Sequence, residues 1–95
     1  MDKQIQIEKL AYAFYFASIP GAPEKAEDYV SAAATLFHHF RSLQVECNYR
    51  VTFGAPVDEV YPITIYRAFP GGREDEDEEA CGQHFDPRYN AIIFG

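Results

Sequence analysis

The stretch Gln44-Val45-Glu46-Cys47-Asn48-Tyr49-Arg50-Val51-Thr52-Phe53 alternates polar and apolar residues without a break. A period of two over this length is the pattern of a half-buried strand, with Val45, Cys47, Tyr49, Val51 and Phe53 turned to a core and the polar set turned to water. The residues on either side decide what that core is made of.

Downstream, Gly54-Ala55-Pro56-Val57-Asp58 supplies turn chemistry, and Glu59 to Phe69 resumes the alternation with Tyr61, Ile63, Ile65 and Phe69 on one parity and Thr64, Tyr66 and Ala68 on the other. Pro62 lacks a backbone donor, which predicts an edge position or a late strand start. Pro70-Gly71-Gly72 then releases the chain into six consecutive acids, Glu74-Asp75-Glu76-Asp77-Glu78-Glu79. Order is expected to return near Phe85-Asp86-Pro87, followed by a last strand from Tyr89 to Phe94.

Upstream the period changes to that of a helix. From Glu24 to about Ser42, Tyr29, Val30, Ala33, Leu36, Phe37 and Phe40 form one apolar stripe, Glu24, Glu27 and Asp28 suit the positive end of the helix dipole, and Arg41 suits the negative end. Ile19-Pro20-Gly21-Ala22-Pro23 separates this helix from an earlier element over Asp2 to Ser18. There a helical wheel gathers Ile7, Leu10, Phe14 and Ala17 on one face, with Asp2 placed to cap the first turn. It also gathers Ile5, Tyr12 and Phe16 on nearly the opposite face, which leaves that face free for something other than the core. A strand reading competes over residues 9–16, where Leu10, Tyr12, Phe14 and Phe16 alternate with small residues.

Together these segments predict one α+β domain over residues 1–95: two N-terminal helices packed on a small three-stranded, mainly antiparallel sheet, with a flexible acidic loop over 71–84 before the last strand. No apolar run approaches the roughly 18 to 20 residues of a membrane span. The opening Met1-Asp2-Lys3-Gln4 lacks a basic-then-apolar leader, so a cytoplasmic location is expected.

The chain carries 15 acids against 8 Lys and Arg, a formal charge of −7; outside the acidic run, nine acids face eight bases. Direct binding to nucleic acid or to anionic lipid needs clustered cations, which are missing. An acidic run instead steers toward a basic protein surface. If it is extended, at roughly 3.3 Å per residue, alternate acids recur near the phosphate interval of a single strand, a geometry any extended acidic peptide satisfies. A solvated loop that maintains solubility is the plain alternative.

Chemistry in the ordinary sense finds little support. Cys81-Gly82-Gln83-His84 has a spacing zinc could use, with Cys47 and His38 or His39 as further ligands, but paired CxxC or HxxxH elements are missing and Cys47 has the inward parity of its strand. A Cys47–Cys81 disulfide is the other reading of the two cysteines. Ser18, Ser31 and Ser42 occur in no nucleophile context, and neither a Walker loop, a dinucleotide-binding glycine pattern nor an HExxH helix is present. No metal, cofactor or catalytic residue is expected, and the chain is read as a non-enzyme.

Seven Tyr and eight Phe exceed what a small core needs, and tyrosine suits interfaces because its ring packs while its hydroxyl stays wet. The expected partner-binding residues are therefore Glu74, Asp75, Glu76, Asp77, Glu78 and Glu79 with Tyr12, Phe16 and Tyr66, alongside Ile5. The function this supports is a small inhibitor or adaptor that occupies a basic, nucleic-acid-binding surface of a larger protein or ribonucleoprotein. Phage-encoded antagonists of nucleases or CRISPR effectors share this size and acidity, an analogy of class alone. The alternatives are a self-associating structural protein, a homodimer for instance, and, more remotely, a small zinc-binding domain.

Overall fold

A computed structural model describes residues 2–17, 19–69, 76–79 and 83–94, with the backbone alone considered for 76–79. The first segment is a helix, α1 (Lys3–Phe16). The Asp2 carboxylate accepts from the Gln4 amide at 2.9 Å and the Ile5 amide at 3.4 Å, satisfying donors that a helix start otherwise leaves bare. Its buried face carries Gln6, Ile7, Leu10, Ala11, Ala13 and Phe14. The strand alternative for residues 9–16 is thereby replaced by the helix. Gly21 lies at φ +81°, a left-handed turn that glycine adopts without strain.

The second helical segment is shorter than its periodicity predicts. A 3₁₀ turn (Ala26–Tyr29) leads into α2 (Val30–His39), and a second 3₁₀ turn (Arg41–Leu43) follows. Phe40 between them is extended, so the apolar stripe continues across three pieces of backbone. Tyr29, Ala32, Ala33, Leu36 and Phe37 are buried, while Val30 and Phe40 pack at the margin of the core.

The sheet is larger than the expected three strands. The path β1 (Asn48–Phe53), β2 (Tyr61–Ala68), β4 (Gln83–Asp86), β5 (Ala91–Phe94) is antiparallel throughout, and β3 (Glu76–Glu79) pairs with β2 beside β4. The expected loop over 71–84 thus includes a strand at Glu76–Glu79, and Gln83 and His84 open β4. Residues 71–75 and 80–82 of that span lie outside the described residues. Pro62 does not mark an edge: β2 is central, and Pro62 sits second in it, where its carbonyl accepts from the Gly54 amide at 3.0 Å. A proline at the start of a strand removes no donor that the ladder needs further along.

Register places Val51 opposite Ile65 and Phe53 opposite Ile63, and Tyr61 opposite Phe85. Val51, Ile63, Ile65 and Phe85, with Phe53 at the margin, form one core with Leu10, Phe14, Tyr29, Leu36 and Phe37 of the helical segments. No helix among the described residues is long and apolar enough to cross a membrane.

The turn that joins β4 to β5 is braced from the loop that precedes β2, the strand next to β4. The Asp86 carboxylate accepts from the Arg88 amide at 2.9 Å and from its guanidinium at 3.0 and 3.1 Å, and Arg88 also reaches Glu59 at 2.7 Å. Glu59 and its neighbour Asp58 both hold positive φ, the pair of left-handed residues that a two-residue hairpin loop requires. Hydrogen bonds from Arg88 hold the Asp86 carboxyl below the usual carboxylate range. A carboxyl whose native pKa is depressed contributes stability above its unfolded value, about 3.9, and that contribution fades as pH falls further through the native value. Asp86→Asn is therefore expected to flatten the acid limb of thermal stability between about pH 5 and about pH 2. Identical acid limbs for the two proteins would remove Asp86 from that account.

Candidate functional site

Because α1 buries one face in the core, its outer face is set by the remaining positions of the wheel. Ile5, Tyr12 and Phe16 stand there 49%, 56% and 77% exposed, and Tyr15 flanks them. The Tyr12 and Phe16 rings, one turn apart, stack at 6.3 Å between centroids, and Tyr15 meets Phe16 at 5.6 Å. Helical spacing of four residues brings such rings together, and mutual packing holds them in place without covering them. The result is an aromatic ridge along the solvent side of the helix.

A groove lies on each side of that ridge. Toward the 3₁₀ turn before α2, Glu8, Ala11, Tyr12, Ala26, Glu27 and Val30 line a space of about 210 Å³. Toward the sheet, Ala13, Phe16 and Ala17 face Tyr49 to Thr52 of β1 across a space of about 340 Å³. The small side chains of Ala11, Ala13, Ala17 and Ala26 make both grooves, since a larger residue at any of them would fill the gap between ridge and neighbour. Among the described residues β1 pairs only with β2, so it forms one edge of the sheet beside the second groove.

The other expected binding residues are distributed elsewhere. Tyr66 lies on the sheet face opposite the helices, where the Arg50 guanidinium stands 4.1 Å from its ring centroid. Tyr12 and Phe16 are thus brought together, while Tyr66 is separated from them by the thickness of the sheet. Glu76, Asp77, Glu78 and Glu79 occupy β3, with Glu78 in register opposite Tyr66 and Glu76 opposite Ala68. Glu74 and Asp75 lie outside the described residues.

The residues weighed for a metal are spread out. Cys47 carries a free thiol, 2% exposed, and burial pushes its pKa up. His38 and His39 are exposed on α2, and the His39 ring stacks on Phe94 of β5 at 4.2 Å. Among the described residues no three His, Cys, Asp or Glu side chains converge; Cys81 lies outside them.

Glu8 and Glu27 carry no signature in the sequence that marks them as a pair. Glu27 is legible as an acid in the first turn of a helix, and Glu8 as a polar residue beside the outer stripe, but their place on one groove depends on how α1 meets the turn before α2. A scan against family models and searches of curated proteins and of solved structures matched nothing to this chain.

Proposed function

We propose that this chain is a small acidic protein-binding module that acts as an inhibitor or adaptor by occupying a basic, nucleic-acid-binding surface of a larger protein or ribonucleoprotein. The observation that carries the reading is the ridge on α1. Three large apolar side chains, Ile5, Tyr12 and Phe16, are held in the open on one helix face of a chain whose formal charge is −7. Aromatic side chains in a rigid, exposed row are the usual anchors of protein interfaces, and flanking acids select a basic partner.

The acidic run supplies steering in this reading. Its backbone is extended at Glu76–Glu79, the condition under which alternate positions recur near the phosphate interval, at roughly 6.6 Å. The steered partner is excluded from nucleic acid by occupation of the same channel, as in phage-type antagonists of nucleases or CRISPR effectors, by analogy of class.

The test is to replace Glu74, Asp75, Glu76, Asp77, Glu78 and Glu79 by Gln or Asn. The partner is captured from the native cell, and its association is then followed at two salt concentrations. The on-rate is expected to fall by about tenfold or more, with a shallower salt slope, since steering contributes roughly 10 to 1,000 in rate. An unchanged on-rate and slope would reduce the run to a solubilising segment.

A second reading rests on a separate observation. Among the described residues β5, Ala91-Ile92-Ile93-Phe94, is an uncharged edge strand with Ile93 and Phe94 42% and 43% exposed, and an apolar edge is a template for pairing with another strand. A native mass of two chains, lost on Ile93→Lys, would favour self-association.

A further inference from the structure

The groove between α1 and the 3₁₀ turn before α2 differs from its neighbour in its charge. Its floor is apolar: Ala11 is 1% exposed, and Ala26 and Val30 are half-buried beside it. Its rim carries two carboxylates, Glu8 from α1 and Glu27 from the turn, both exposed. Neither takes part in an ion pair among the described residues, and Glu8 accepts only a long hydrogen bond, 3.5 Å, from Gln4 Nε2. The half-exposed Tyr12 ring forms one wall.

We propose that this groove is the socket for one arginine side chain of the protein partner, a step that rests on the reading of the chain as a binder of basic surfaces. Two carboxylates on the rim of one small apolar groove give it a negative potential, which favours a cation there. An anion is excluded on the same ground, and a purely apolar side chain would strip water from both acids without replacing it. The occupant must therefore be a cation with an apolar stem. Arginine meets each surface at once: its methylenes lie on Ala11, Ala26 and Val30, its planar guanidinium presents donors to both carboxylates, and its face stacks on Tyr12. Lysine offers a compact, strongly hydrated charge that cannot bridge and stack together. The Tyr12–Phe16 ridge then covers the neighbouring surface, as the water-excluding surround of a charged anchor does.

The experiment uses N-acetyl-arginine amide, N-acetyl-lysine amide and the uncharged N-acetyl-citrulline amide as probes, followed by amide and methyl chemical shifts of the full chain. The arginine probe is expected to shift Ala11, Tyr12, Ala26 and Val30 saturably, with Kd on the order of millimolar for so small a ligand. Lysine should bind at least about threefold more weakly, and citrulline without saturation, given the fixed fork of a charged guanidinium. Glu8→Gln and Glu27→Gln should each weaken the arginine probe by about fivefold or more, a loss typical of one charge-assisted hydrogen bond. Tyr12→Phe should bind as the parent does, whereas Tyr12→Ala should not. The three substituted positions, Glu8, Tyr12 and Glu27, are all exposed, and circular dichroism verifies the fold of each variant.

Shifts scattered over the acidic surface, equal binding of lysine, or indifference to both Gln variants would overturn the socket. If the socket fails while the chain still displaces nucleic acid from its captured partner, the docking reading stands without it. If arginine binds as expected and no basic partner is displaced from nucleic acid, the socket stands and the docking reading falls.

Discussion

Phe14→Ala is expected to lower the unfolding free energy by about 3 to 5 kcal/mol, the cost of removing a buried aromatic ring from a close-packed core. Phe14 is fully buried, and its ring lies 6.0 Å from Tyr29, 5.8 Å from Phe53 and 5.9 Å from Phe85. Those four rings come from α1, the 3₁₀ turn, β1 and β4, so a single side chain ties both helical segments to two strands. A domain of this size has total stability of roughly 5 to 15 kcal/mol, and the loss is a large fraction of it. Phe16→Ala, two residues along the same helix but 77% exposed, should change stability by only about 0.5 kcal/mol. Urea midpoints measured on both variants separate the core face of α1 from its binding face. Equal midpoints would mean that the two faces have been assigned wrongly.

Gln6→Leu is expected to cost about 3 kcal/mol although it adds apolar volume to a buried site, because it leaves buried acceptors without a donor. Gln6 is 2% exposed, and its Nε2 donates to the Val45 carbonyl at 2.8 Å, the Cys47 carbonyl at 3.0 Å and the Tyr49 hydroxyl at 3.2 Å. An amide nitrogen has two hydrogens, so three acceptors must share them. The Tyr49 hydroxyl in turn donates to the Leu43 carbonyl, and burial pushes that phenol well above its ordinary pKa. Gln6→Glu should be worse still at neutral pH, since a carboxylate would face carbonyl oxygens with nothing to donate. Protonation restores a donor, so the carboxyl is pushed up in the native state and the Glu variant should gain stability as pH falls toward 4 or so. Denaturation midpoints against pH would show it; a Glu variant insensitive to pH would remove the amide from its structural role.

This amide also explains where β1 begins. Alternation extends the strand back to Val45, yet pairing starts at Asn48, opposite Ala68 at the end of β2. The carbonyls of Val45 and Cys47 are taken by Gln6 instead of by a neighbouring strand. Gln6 belongs to the buried face of α1, but an amide in an apolar stripe carries no sign in the sequence of what it bonds, because its acceptors are about forty residues away.

Local periodicity alone determined much of this protein. The outer and inner faces of α1, the core stripe from Tyr29 to Phe37 and the inward parity of Val51, Ile63 and Ile65 all follow from spacing, since burial repeats with the geometry of the backbone. The stacked pair of Tyr12 and Phe16 was legible for the same reason. Tertiary structure decided which elements meet. Glu76–Glu79 has no apolar alternation and becomes a strand through pairing with Ile65 to Ala68 of β2. Tyr66 shares a residue type with Tyr12 but lies behind the sheet, and Glu8 and Glu27 face one groove only because α1 packs against the turn before α2. Burial period is a property of neighbours in the chain, whereas strand partnership and groove geometry depend on contacts between distant segments, which no local pattern encodes.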